Sequence, residues 1–223
     1  MTSGELWQLG SLALLASAIT AGFFWFERSR PSARVVATVA ALVAFGVIGR
    51  VLFAPFPNVK PTTDIVIVAG FALGFAPGWM VGALTALVSN FYFTQGPWTP
   101  WQMLAWGLCG LLGAALARSG VGVDSSFRGR LPLALWCAVA GLLYGVVVNF
   151  GSAVNLASSD LSTSFWIQTT TSAPFDIAHI VANFGFFMLA GPLLIRMLKR
   201  LKRRETLDWP VAERDAAHSA TAA

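Results

Sequence analysis

Runs of apolar residues, most of them long enough to cross a bilayer and separated by short links, constrain this chain more than any other feature. They cover approximately residues 6–26, 35–54, 63–76, 78–93, 101–117, 131–150 and 174–198. A hydrocarbon core of roughly 30 Å takes about 20 helical residues to cross. Inside it every backbone N–H and C=O must be paired, which leaves helices or a closed barrel. The blocks carry no barrel-like alternation, so they predict helices. Composition agrees: 56% of residues are hydrophobic and 11% charged, with mean hydropathy +0.68, against about 25% charged in a soluble domain. The expected fold class is an all-α integral membrane protein in a lipid bilayer.

A pI near 9.9 would point to nucleic acid in a soluble chain. Here the basic residues sit in links, which excludes a nucleic-acid partner and reports orientation instead. Arg28, Arg30 and Arg34 form one cluster, and Arg118, Arg128 and Arg130 a second. Arg196, Lys199, Arg200, Lys202, Arg203 and Arg204 form the third. All three should be cytoplasmic. Links 54–62, 94–100 and 151–173 hold only Lys60 and Asp160 as charges, and belong outside. Seven crossings then put the N-terminus outside and the C-terminus in the cytoplasm. The block 63–76 rises only about 20 Å as a helix, so two full crossings or a re-entrant hairpin over 63–93 satisfy the charges equally. The first block has no basic segment before it and no small-residue cleavage pattern, and reads as a retained helix. Residues 205–223 are expected to form a disordered cytoplasmic tail.

Small residues four apart let helices approach closely in lipid. Ala37 with Ala41, Ala40 with Ala44, the series Gly70, Gly74, Gly78 and Gly82, and Gly141 with Gly145 all have this spacing. Polar residues at depth mark candidate sites. Arg50, Asp64, Asn90 and Asn149 fall toward the outer half, and Lys60 lies four residues before Asp64. Asp176, His179 and Asn183 share one helical face, which fits a structural ladder, a pocket lining or a proton relay. Cys109 and Cys137 lie inside apolar blocks without metal spacing, so neither metal nor cofactor is expected. The sequence has no HExxH, GxSxG or GxxxxGK[ST] motif, so no enzyme activity and no ATPase of its own is expected.

Two outer links are stiff. Residues 54–61 read Ala-Pro-Phe-Pro-Asn-Val-Lys-Pro, and 91–102 read Phe-Tyr-Phe-Thr-Gln-Gly-Pro-Trp-Thr-Pro-Trp-Gln. Rigid aromatic surface with a few hydrogen-bonding groups suits a planar, heteroatom-rich small molecule. Asn58, Gln95, Trp98, Trp101 and Gln102 therefore join the candidate binding residues.

In these stretches, from Gly49-Arg50 through Asn58-Val59-Lys60-Pro61 and Gly70–Gly82 to Gln95-Gly96-Pro97-Trp98-Thr99-Pro100-Trp101-Gln102, the chain resembles the substrate-specific (S) components of energy-coupling factor (ECF) transporters, the bacterial vitamin importers. The resemblance implies a six-helix substrate-binding core, here 31–204; the N-terminal transmembrane helix and basic link of 1–30 are extra to that core and depart from the family pattern. It implies a vitamin held near the outer face under the loop 54–62; the aromatic loops make cobalamin or a flavin the first candidates. It further implies a membrane coupling subunit and paired ATPase subunits as partners. An Ala-xxx-Ala motif on the first core helix would be the docking face for that coupling subunit, and Ala37 with Ala41 or Ala40 with Ala44 match it. The rival expectation is a proton-coupled secondary transporter using Asp176 and His179.

Overall fold

The computed structural model describes residues 3–122, 124, 126–156 and 160–221, with side chains from Leu9 to Leu201. Each apolar block becomes one helix: α1 Ser3–Arg28, α2 Ala33–Leu52, α3 Thr62–Leu73, α4 Phe75–Phe93, α5 Thr99–Arg118, α6 Phe127–Leu156 and α7 Leu161–Thr221. The described residues contain no strand. Five of the helices (α1, α2, α5, α6 and α7) are long and apolar enough to cross a membrane, and the chain is built as a multi-pass membrane protein.

The helix ends follow from local chemistry. Ser32 caps α2, its hydroxyl accepting the Val35 N–H at 3.2 Å. Pro100 opens α5, where its missing N–H costs nothing. Ser126 caps α6 by accepting the Gly129 N–H at 3.0 Å. The largest departure from the sequence reading is at 151–156 and 161–173, which are helix rather than loop: α6 continues to Leu156 and α7 begins at Leu161. Asp160 explains the early start. Its carboxylate accepts the Ser162 N–H at 3.0 Å and the Thr163 hydroxyl. Those bonds, the Thr163 hydroxyl first, hold the carboxyl below its usual range. At the other end α7 runs on to Thr221, where a disordered tail was expected from Glu205; Ala212, Ala216, Ala217 and Ala220 favour helix.

The short helix α3 is the centre of the bundle. Thr62 through Ala72 are all buried, because α2, α4, α5, α6 and α7 surround it. A helix of 12 residues rises about 18 Å, too little for the bilayer, but one sheathed in protein has no lipid thickness to match. Gly74 turns the chain from α3 into α4 with φ of 105°, a left-handed value that L side chains resist. Beyond this turn three backbones touch. A Cβ on Gly70 would lie 1.9 Å from the Gly110 carbonyl oxygen, and one on Gly110 would lie 2.2 Å from that of Gly78. Farther along, a Cβ on Gly82 would meet the Trp106 carbonyl oxygen at 2.2 Å. Gly70, Gly78 and Gly82 thus serve packing within the chain; on α6, a Cβ on Gly141 would meet the Asn183 side chain and Ile180 backbone of α7, and one on Gly145 the Asp176 carboxylate.

The alanines of α2 behave differently. Val39, Leu42, Val43, Gly46, Gly49 and Arg50 form its buried stripe, with the helical spacing of a one-sided contact. Ala37, Ala40, Ala41 and Ala44 lie on the opposite side and are all exposed. Helix α1 packs on α4, α5 and α6 and leaves that face open.

The two ends of the bundle differ in chemistry. At one end Trp25 meets Phe75, Arg118 lies 4.6 Å over Phe75 and Lys199 lies 4.9 Å over Phe71. The links 29–32 and 119–122 belong to this basic end. The loops 53–61 and 94–98 belong to the other, where Asn155 reaches the Pro97 carbonyl at 3.4 Å.

Candidate functional site

The site lies at the end away from the basic clusters. It is assembled from the last turns of α2 and α4, the first turns of α3 and α5, and the middle of α6 and α7. Arg50 is its anchor. Only 8% exposed, it donates through Nη1 to Ser89 Oγ at 2.5 Å and to Asn90 Oδ1 at 2.8 Å. Its guanidinium also lies 4.5 Å from the Phe93 ring centre and 5.2 Å from that of Trp106, a cation–π arrangement that favours Arg over aromatic faces.

From Asn90 the network passes into the second loop. The Asn90 amide donates to Thr99 Oγ1 and to Gln102 Oε1, each at 2.8 Å. Thr99 in turn donates to Gln95 Oε1 at 2.9 Å, and Gln95 Nε2 donates to the Leu87 carbonyl at 2.9 Å. These bonds tie 95–99 to the end of α4 and preset the loop.

A second arm runs through aromatic rings. Trp106 Nε1 donates to Thr63 Oγ1 at 3.0 Å, and the same oxygen lies 2.8 Å from His179 Nε2. Tyr144 is wedged between them, 4.8 Å from the Trp106 ring and edge-on to His179 at 5.1 Å. Lys60 approaches from the loop above. Its Nζ donates to Asn58 Oδ1 at 3.1 Å and stands 6.0 Å from the Tyr144 ring centre. Burial, and then the neighbouring Arg50, push the ammonium of this loop residue down to about 7. Asn58 itself sits at φ 58°, a left-handed conformation that Asn tolerates better than most residues.

Of the residues singled out in the sequence, Arg50, Asn58, Lys60, Asn90, Gln95, Gln102 and His179 come together here. The others are placed elsewhere. Asn149 and Asp176 form a separate group between α6 and α7: the Asn149 amide donates to Asp176 Oδ2 at 3.0 Å and to Ser172 Oγ at 2.8 Å. Asn183 lies deeper, donating to the Cys137 carbonyl at 3.3 Å. Asp64 is sealed in the first turn of α3 beside the Cys137 thiol, and Lys60 turns away to Asn58. Trp101 packs with Leu15 and Val154 against α1 and α6, and Trp98 is 41% exposed, its ring lying over Gly96.

Sequence reasoning omitted Thr63, Ser89, Phe93, Thr99, Trp106 and Tyr144 from the site. Trp106 was legible in principle, because it follows Gln102 by one helical turn. Tyr144, a lone phenol in an apolar span, carried a similar signal. In comparisons with known proteins, no family model, no curated protein and no solved structure matches the chain.

Proposed function

We propose that this chain is the substrate-capturing membrane subunit of an ATP-driven importer of the energy-coupling factor type. The observation that carries the reading is the division of labour on α2. One side of the helix ends in Arg50 within the enclosed polar and aromatic site; the opposite side presents four exposed alanines that no helix of the chain covers closely. A capture subunit needs both, a ligand chamber and a small-residue face on which a coupling subunit can pack.

The positive-inside rule applied to the two ends supports the same reading. With the basic end cytoplasmic, the N-terminus and the site face outward and the C-terminus inward, so the site lies on the side where cargo arrives. The stiff loop 53–61 lies over it, and its aromatic walls suit a vitamin-sized ring system, with cobalamin or a flavin as first candidates. The secondary-carrier alternative loses ground, because His179 bonds to Thr63 while Asp176 bonds to Asn149 and Ser172. The two side chains proposed for a relay belong to different groups.

Capture of the tagged protein from its native membrane in mild detergent tests the proposal. It predicts co-isolation of a membrane coupling subunit and two ATPase subunits, with ATP hydrolysis in the eluate. A protein that elutes alone, and transports cargo alone when reconstituted, would refute it.

A further inference from the structure

Arg50 and Lys60 bring two positive charges to the same polar and aromatic cluster, and no carboxylate of the described residues pairs with either. The acids nearest in the sequence pattern are committed elsewhere: Asp176 bonds to Asn149 and Ser172, and Asp64 is sealed beside Cys137. Neutral oxygens of Ser89, Asn90 and Asn58 are the acceptors of the two cations. Like charges held together away from water are strongly disfavoured unless something neutralises them.

The geometry also says which donors are spare. A guanidinium has five N–H groups. Both bonds of Arg50 to Ser89 and Asn90 leave from Nη1, so the edge formed by Nε and Nη2 keeps no acceptor among the described residues. That edge matches the spacing of two oxygens on a carboxylate or phosphate. Lys60 has three ammonium protons and uses one on Asn58. The rings of Phe93 and Trp106 hold the guanidinium in place, so the edge is preset rather than free to swing.

We propose that the cargo of this chamber is an anion, whose carboxylate or phosphate seats on the Nε/Nη2 edge of Arg50 and on the Lys60 ammonium. This deepens the capture function proposed above and rests on it.

Sulfate is the probe, because its charge is constant near neutral pH. The full chain is purified in detergent and melted with sulfate replacing chloride at constant ionic strength, with tryptophan fluorescence as readout. At 20 mM sulfate the midpoint should rise by about 2 °C or more, and neither Arg50→Gln nor Lys60→Met should show the rise. Lys60→Met without sulfate should melt no lower than wild type, since it removes an unneutralised charge. No rise in the wild type, an equal rise in Lys60→Met, or a lower midpoint for that variant without sulfate would overturn the proposal. Short-chain phosphatidylglycerol in the micelle separates a lipid headgroup from a soluble anion. The proposal expects no shift from it; a shift exceeding that of sulfate would assign the chamber to lipid and overturn the cargo assignment. The two proposals fail separately. A sulfate site on a protein that recruits no ATPase would end the importer reading, whereas an importer loaded with an uncharged vitamin would end only the anion assignment.

Discussion

Gly110→Ala tests the crossing of α3, α4 and α5 that holds the chamber together. The added Cβ would lie 2.2 Å from the Gly78 carbonyl oxygen and 2.4 Å from its carbon. A comfortable carbon–oxygen contact is about 3.3 Å, so α4 must retreat by roughly 1 Å. It cannot do so freely, because α3 packs against Gly78 as well: a Cβ on Gly78 would lie 2.6 Å from the Gly70 Cα. Overpacking costs about 1–3 kcal/mol, and backbone on both sides puts this site near the upper end. Replacing Gly by Ala within a helix returns about 1 kcal/mol, leaving a net loss of about 2 kcal/mol. At about 2–4 °C per kcal/mol for a chain of this size, the midpoint should fall by about 4–8 °C. Cys109 and Cys137 are both buried and free, so a thiol-reactive dye in a thermal ramp reports the opening of the core. Gly185→Ala is the control, since a Cβ there meets nothing within 4 Å and should leave the midpoint unchanged or slightly raised. A Gly110→Ala protein that melts no lower than wild type would refute the close crossing.

Other outcomes follow from the same contacts. Thr63→Val removes the hydroxyl shared by Trp106 and His179; at about 1–3 kcal/mol for each buried group left unpaired, it should lower the melting midpoint in the same ramp, with Thr63→Ser restoring it. Because Lys60 is lowered to about 7 when folded and lies near 10.4 when unfolded, the unfolded chain binds more protons between those values. Stability should therefore rise from pH 7 to pH 10, and this gain should be absent from Lys60→Met in parallel melts. Sulfate binding should move the opposite way, weakening as pH climbs through 7 and the ammonium loses its proton. Replacing Ala37, Ala40, Ala41 and Ala44 together by Leu should spare ligand binding and stop uptake; full uptake would refute the docking assignment.

The helices were legible because lipid permits so few alternatives. Once 131–150 and its like are too apolar for water, backbone pairing dictates a helix, and only the ends remain to be found. The ends failed at 161–173, where Ser, Thr and Gln look like loop in a hydropathy reading although an Asp160 cap and intrahelical bonds such as Thr170 Oγ1 to the Trp166 carbonyl satisfy polar groups of the stretch. The site was half legible. Depth and polarity marked Arg50 and Asn90, but 40 positions separate them, and only the crossing of α2 and α4 makes the bond between them. Asp176 and His179 share a helical face by spacing, yet their three-residue offset lets one meet α6 and the other α3. The two kinds of small-residue pair were indistinguishable as text. Gly70, Gly78 and Gly82 are met by neighbouring backbones and the alanines stay exposed, a difference that depends on which helix lies opposite.

Uptake into membrane vesicles, with ATP supplied and a protonophore added, tests the central claim most directly. The cargo would be the small molecule released from the purified protein and identified by mass spectrometry. An ATP-driven capture subunit predicts accumulation that survives the protonophore and ceases when the ATPase subunits are omitted. Uptake that collapses with the proton gradient while ATP remains, and that needs no ATPase partner, would contradict it.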